Sequence, residues 1–503
     1  MKRFYFLCLA AILSQLNLKA QEIISVTPGS TLNDVITSDP GRIYELTRGA
    51  IYFVNAPIEH EGFTLHLRSS GNPDFARPLI VSDPPSADVE INALFEARGE
   101  LILEGIHMTQ RSTLGVIFER IIRARANDIR ITVDDCLFDD SGQTTFRLDN
   151  AGVKLYVRNC IISRMGETNN PDNGRFIDDR GNDVDSIVMT NNLVYNITSR
   201  IIRDGGGNIN YAEFNQNTVA NTGQRCFAVG PVETLVFTNN VVSDGAFLGR
   251  QFSLDPAEQD DRTVVDPDTI ASGNVDSWVI SHNNIFRNQV LVDATPFTQV
   301  DLDTIEQVPY WNELAIQAVT AGGTAETNIE EVLEFTNPAP LPLGWVMAHH
   351  QEMDAPNWDH SGIDPDPILT SAVGDGSIDR YSTYHDYGYS QGAQSYTAGT
   401  EGQPIGANLN DFNFPTSTRD LFVEANILYY PNPVAHTLFV RSLSGTPIQG
   451  IILYDALGRP VSNMQNVNID RTEIDFSDLP AGLYLLSLFD ASGQMSTRQI
   501  IRN

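Results

Sequence analysis

Val-Asp-Asp-Cys-Leu-Phe (133–138), Val-Arg-Asn-Cys-Ile-Ile (157–162), Met-Thr-Asn-Asn-Leu-Val (189–194), Phe-Asn-Gln-Asn-Thr-Val (214–219), Phe-Thr-Asn-Asn-Val-Val (237–242) and Ser-His-Asn-Asn-Ile-Phe (281–286) are variants of one phrase, opened by Leu-Glu-Gly-Ile (103–106). Their matching positions, 105, 136, 160, 192, 217, 240 and 284, are separated by 31, 24, 32, 25, 23 and 44 residues. Self-similarity at steps of this size marks a solenoid, in which each repeat buries its apolar face against the next.

Before each marker the residues alternate. Ile129, Ile131 and Val133 are apolar while Arg130, Thr132 and Asp134 are polar; Val153, Leu155 and Val157 interleave with Lys154, Tyr156 and Arg158 in the same phase. A period of two belongs to strands. A step of roughly 22 to 25 residues holds about three short strands with their turns, and stacking such windings pairs each strand with those above and below. The expected fold class is all-β, a right-handed parallel β-helix. Asn192, Asn217, Asn240 and Asn284 then share one turn, where stacked amides can form a ladder. The longer steps are loops inserted at turns.

Working outward, the first coil of a solenoid needs a cover. Ser30-Thr-Leu-Asn-Asp-Val-Ile36 predicts a short amphipathic helix with Ser30 as its N-cap, followed by strands over 42–46, 51–54 and 63–67. The run Asp39-Pro-Gly-Arg-Ile-Tyr-Glu-Leu, with Gly49-Ala-Ile-Tyr and Leu103-Glu-Gly-Ile, resembles the amino-terminal coils of β-helical polysaccharide lyases of the chondroitinase B and alginate lyase type. That resemblance implies a β-helix acting on acidic polysaccharide by β-elimination. The family's central Lys-Ser segment, with Asn shortly after it, has no counterpart here.

At 503 residues the chain should hold two or more units. Residues 1–20 read as a secretory signal: Lys2 and Arg3, an apolar run from Phe4 to Leu16, then Leu18-Lys19-Ala20. That run is too short to span a bilayer, and no transmembrane segment is expected elsewhere. Cys8 leaves with the signal, so Cys136, Cys160 and Cys226 remain, an odd number that argues against a disulfide framework. Cys136 and Cys160 occupy one position on successive coils, either as stacked buried thiols or as a bridge. The formal charge is −32, and nucleic acid is excluded as a partner for such a surface. Lys154 is the only lysine left after removal of Lys2 and Lys19, so nearly all positive charge is arginine.

The acidic, Pro-containing stretch 244–277 reads as an exposed loop interrupting the coils. Thr304 to Thr320 and Thr327 to Phe335 have helical spacing, a helical insert near 300–355 of a β-helix domain spanning 21–410. Residues from Asp364 to Gly406 resemble the closing segment of β-helical proteins exported by Bacteroidetes-like bacteria. Residues 411–425 form a linker. Beyond it stand Tyr430-Pro-Asn-Pro433, Ile451-Ile-Leu-Tyr-Asp-Ala-Leu-Gly458, Asp478-Leu-Pro-Ala-Gly-Leu-Tyr484 and Arg498-Gln-Ile-Ile-Arg502, which resemble in order the carboxy-terminal sorting domain of type IX secretion substrates. The resemblance implies an immunoglobulin-like β-sandwich over 426–503, the type IX secretion machinery as a partner, and a secreted or cell-surface location; a monomer is expected.

An arginine column is the sharpest chemical signal. Arg120, Arg147, Arg175, Arg200 and Arg225 precede their markers by 16, 13, 17, 17 and 15 residues, and Arg120-Ile-Ile-Arg123 recurs as Arg200-Ile-Ile-Arg203. Coils stack about 4.8 Å apart, where two guanidiniums repel by roughly 3 to 4 kcal/mol at an effective dielectric of about 20. Counter-charge must come either from nearby Asp149, Asp178, Asp179 and Asp204 or from a polyanion, for which planar guanidinium forks suit uronate carboxylates.

On the outward face before the turn, Arg130, Lys154, Ser186, Tyr211 and Thr234 are expected in one row, and Thr132, Tyr156, Val188, Glu213 and Val236 in the next. Elimination at a uronate needs a base, an acid and a charge on the carboxylate. Lys154, or an arginine such as Arg200, is the candidate base; Tyr156 or Tyr211 is the proton donor; Arg130, Arg147, Arg175, Arg203 and Arg225 are candidate substrate ligands. Glu213 with Asp134 is the candidate Ca2+ site. The bland alternative is an ordinary solvated sheet face. His349-His350 with Glu352 and Asp354 lacks metal spacing, and Asp178, Asp179 and Asp204 are a weaker inverting-glycosidase pattern. Three functions follow: polysaccharide lyase-like enzyme, non-catalytic carbohydrate-binding or adhesin-like protein, or glycoside hydrolase.

Overall fold

The computed structural model describes residues 22–73, 76–86, 88–114, 116–166, 173–203, 205–252, 262–294, 299–300, 303–343, 385–412, 427–430, 432–442, 447–469, 471–490 and 495–502. The signal segment, Asp204, His349, His350, Glu352, Asp354 and nearly all of the linker lie outside the described residues.

Each winding contributes one strand to each of three walls. Wall one carries Arg120–Ala124, Thr144–Leu148, Arg175–Asp178 and Arg200–Arg203; wall two Arg130–Asp134, Val153–Arg158, Val184–Thr190 and Ile209–Asn215; wall three Leu137–Ser141, Ile161–Met165, Leu193–Ile197 and Thr218–Thr222. All pairings between successive windings are parallel. The long strand Phe227–Thr238 runs through both walls one and two, joining them as one 17-stranded sheet, while wall three is a separate sheet of 9 strands.

Alternation explains wall two. Ile131 stacks in register on Leu155, then Ile187, Ala212 and Leu235, and Val133 stacks on Val157, Met189, Phe214 and Phe237. All of these face the interior and are buried, while the residues between them face out. Phe138, Phe146 and Phe176 fill a corner edge to face, with centroids 5.4 and 5.3 Å apart. Wall three does not alternate: Leu193–Ile197 and its neighbours are buried at every position, as expected of strands covered on both sides. The cover is an antiparallel pair, Phe335–Asn337 with Asp386–Tyr389, and the segment after it. Ala339, Tyr387 and Phe412 pack there on Leu137, Ile161, Leu193, Tyr195 and Ala220.

The corner between walls two and three is set by two columns. Gly105, Asp135, Asn159, Asn191, Gln216, Asn239 and His282 all take positive φ, 53 to 69°, a conformation that Gly, Asn and Asp adopt most cheaply. The next residue turns inward. From Asn192 onward it is an asparagine whose Oδ1 accepts both the backbone N–H and the side-chain amide of the one before: Asn192 to Asn217, Asn217 to Asn240, Asn240 to Asn283. The fourth rung is Asn283, not Asn284. The paired asparagines of 239–240 and 283–284 differ by one residue in register, because His282 occupies the positive-φ position. Asn284 instead donates to the backbone of Glu331 and to Ser395 Oγ. Cys136 and Cys160 occupy the equivalent place earlier in the solenoid as buried free thiols.

Three local expectations are corrected. Helix Leu32–Ser38 has Thr31, not Ser30, at its N-cap, with no side-chain cap bond; Leu32 and Ile36 are buried. The stretch 244–277 is not simply a loop, since Val265–Thr269 forms the last wall-one strand against Phe227–Val232. Of the two helices predicted in the insert, only Glu313–Gly322 forms, capped by the Asn312 side chain and ended by Gly323 at φ 64°; Asp303–Glu306 is a strand. Its Ala315 and Ala318 join the solenoid core and close its far end. Residues 328–331 pair with the last winding instead of coiling: Ile329 N–H reaches Asn283 O at 2.8 Å, and Asn283 donates to Asn328. Unpaired backbone at that edge outweighs local helical spacing.

At the carboxyl end, Ile427–Tyr430, Thr437–Ser442 and Arg471–Asp475 form a three-stranded antiparallel sheet, and Ile448–Asp455, Pro460–Ile469, Gly482–Asp490 and Met495–Arg502 a four-stranded one. The two share their own core, including Leu438, Val440, Leu453, Leu486 and Ile500.

Candidate functional site

The arginines stand on the outer face of wall one, but in two rows rather than one column. Arg175 and Arg200 are vertical neighbours, and Thr144 separates Arg175 from Arg120. Arg147 lies three residues along, stacked on Arg123 and Asp178, with Arg203 above Asp178. Counting back from the marker, over 13 to 17 residues, does not resolve which of the two rows an arginine joins.

Protein carboxylates thread these rows. Asp149 accepts from Arg147 Nε at 2.7 Å and Arg123 Nε at 2.9 Å. Glu96 meets Arg123 at 3.0 Å. Asp178 is shared by Arg175 at 3.1 Å and Arg203 at 3.3 Å, and Arg225 lies 3.4 Å from Asp266. Arg200 is held by Gln224 and Ser199, while Arg120 reaches Asn92, Glu119 and Gln143. Burial would raise the Asp149 carboxyl, but the hydrogen bonds from Arg147 and Arg123 outweigh it and hold it below its usual range. Burial and then the neighbouring Arg147 lower the Arg120 guanidinium.

Wall one is close to charge balance, unlike the chain as a whole. The wall-one windows 58–60, 95–98, 119–125, 143–149, 174–180, 199–204, 224–228 and 265–269 contain ten arginines and nine carboxylates, an excess of one positive charge on a chain of −32. Arg203 and Arg225 keep about a third of their side chains in solvent, 29% and 32%. Asp178 and Asp179, the glycosidase pattern, are both buried; Asp179 Oδ1 accepts the backbone N–H groups of Gly181 and Gly205 and shapes a turn.

Wall two has the two rows expected of it. Arg130, Lys154, Ser186, Tyr211 and Thr234 are in register, as are Thr132, Tyr156, Val188, Glu213 and Val236. The Arg130 guanidinium sits 5.6 Å from the Tyr156 ring centre, and Lys154 Nζ is 3.9 Å from Asp185. Tyr211 donates to Glu213 at 2.7 Å; burial, then this bond, pushes its hydroxyl up to about 12. Lys154 and Tyr211 are two windings apart, about 10 Å at the usual strand spacing. Arg200 belongs to the adjoining wall and does not join them.

The candidate Ca2+ pair is corrected by the register: Asp134 and Glu213 are three windings apart, about 14 Å, too far to share an ion. Asp134 accepts instead from Asn159 at 2.8 Å. Among the described residues no group of three or more His, Cys, Asp or Glu side chains could hold a metal.

Wall three contains a charged cluster that sequence reasoning missed. Arg164 Nε donates to Asp140 at 2.9 Å and Nη2 to Asp139 at 2.5 Å; Arg111 meets Asp140 at 2.8 Å, and His107 lies 3.5 Å from Asp139. All are buried. Asp140, Arg164, Asn196, Asn221 and Asp244 form a second positive-φ column, each four residues after a marker, and that offset was the available signal.

Fold and terminus define an exported parallel β-solenoid protein. Residues 428–502 match the family model described as a secretion system C-terminal sorting domain. The chain is accordingly exported through the type IX secretion machinery to the cell surface or beyond it. No curated protein and no solved structure matches the chain. Among the described residues no helix is long and apolar enough to cross a membrane.

Proposed function

We propose that the solenoid is a non-catalytic binder of acidic extracellular polysaccharide, with wall one as its contact face. The observation that carries this reading is the concentration of arginine on that wall, ten of the 29 in a strongly acidic chain, with Arg203 and Arg225 partly exposed. Partly exposed guanidiniums on successive windings offer planar forks to uronate or sulfate groups.

Elimination chemistry finds less support. Lys154 faces Asp185, Tyr211 is committed to Glu213, Arg200 stands on a different wall, and the two carboxylates proposed for a cation are separated. A general acid working near neutrality needs a pKa close to the working pH, and about 12 is far from it.

The test is calorimetric titration of the exported chain with alginate, pectate and glycosaminoglycan oligosaccharides, repeated for Arg203→Ala/Arg225→Ala. Loss of two exposed ionic contacts should weaken binding by about tenfold and reduce its salt dependence. Unchanged affinity in the double variant removes the proposal. Unsaturated, ultraviolet-absorbing product would select a lyase, and new reducing ends without it a hydrolase.

A further inference from the structure

The four-stranded sheet of the sorting domain buries one face in the domain core: Leu453, Tyr484, Leu486 and Ile500 point inward. Strand alternation sends their neighbours the other way. Leu483 pairs with Ile501 and Tyr454 with Leu485 across adjacent strands, so four large apolar side chains share the opposite face. Leu483 is 41% and Ile501 45% exposed. Beside them Leu457, 78% exposed, tips the turn after Asp455. That turn is stiff: Asp455 Oδ1 accepts the N–H groups of Leu457 and Arg459, and Oδ2 accepts Arg459 Nε at 2.7 Å.

We propose that this apolar face, with Leu457 at its rim, is the surface by which the sorting domain docks on the export machinery. Two observations choose that occupant. Residues 428–502 match a secretion sorting domain, a unit whose task is recognition by that machinery. Those residues also contain five arginines and six carboxylates, nearly balanced against −32 for the whole chain, so charge offers a receptor little to hold. Contiguous exposed apolar side chains mark interaction sites, and a few central ones dominate the affinity. The inference is independent of the polysaccharide reading.

The experiment expresses the full chain in a type IX-secreting bacterium and measures the protease-accessible fraction on cells and in medium. Leu483→Asp/Ile501→Asp should lower that fraction by about tenfold, with folded protein accumulating in the periplasm. Glu473→Lys, on the exposed side of the other sheet, should export normally. Because the charged pair could impair folding, Leu483→Thr/Ile501→Thr is run beside it, with unfolding temperature as the check. Normal export of either folded double variant overturns the proposal. So does a wild-type dimer that the substitutions dissolve without affecting export, which would make a second copy the occupant.

Discussion

Asn217 gives both its backbone N–H and its side-chain amide to Oδ1 of Asn240, each at 3.0 Å, and its second amide hydrogen to Met189 O at 3.0 Å. Asn192 does the same to Asn217. A buried polar column is therefore fully satisfied, and its worth lies in what its loss would leave orphaned. Asn217→Ala strands the backbone and amide donors of Asn192 and takes a bond from Met189 O, while Asn240 Oδ1 keeps only the backbone N–H of residue 217. The expected loss is about 3 to 5 kcal/mol in denaturant unfolding. A loss below about 1 kcal/mol would mean that water replaces the rung.

Asp149 links stability to pH. Its folded carboxyl lies below the ordinary 3.8, so its contribution is complete above that value and is lost as pH falls through the folded pKa. Melting curves between about pH 2 and 7 should show Asp149→Asn converging on wild type at the acid end and falling short of it above about pH 4. A constant gap across the range would assign the effect to packing.

Glu331 fastens the cover of wall three. Its carboxylate accepts from Ser395 N, Ser395 Oγ and Gln394 N at 2.7, 2.7 and 2.8 Å. Burial opposes ionisation, but these bonds prevail and lower its pKa. Glu331→Ala should speed hydrogen exchange in residues 385–412 while leaving wall two protected. Equal change in both would mean that the cover and solenoid open together.

Tyr211 should titrate late. Spectrophotometric titration of the wild type and Glu213→Gln should show one phenol moving from about 12 back toward 10.0 in the variant. Burial is the first cause of the raised value and stays in the variant; the sign follows because removing the carboxylate removes the second. No shift would mean that burial alone sets the value.

The three described cysteines are free and fully buried, and burial raises Cys160 and pushes Cys226 up to about 12. Native protein at about pH 8 should therefore resist thiol reagents, and denatured exported chain should release three reactive thiols. One reactive thiol after denaturation would show that Cys136 and Cys160 are bridged.

Legibility tracked physical range. The marker phrase, the alternation over 129–133 and 153–157 and the wall-two rows were readable because strand period and in-register stacking carry a local pattern directly into vertical neighbours. The same logic failed by one residue at Asn283, where two adjacent asparagines offer two registers and only the positive φ of His282 decides.

Sequence alone determined that this chain winds, which residues face its core, and that its last 75 or so residues are a sorting unit, since each rests on spacing or an ordered motif. Tertiary structure decided the rest. It split the arginines into two rows, set Asp149 and Asp178 among them, moved Asp134 away from Glu213, and laid residues 385–412 over wall three. Those outcomes depend on distances between side chains far apart in the chain, and charge, unlike hydrophobic periodicity, leaves no local trace of the partner that will neutralise it.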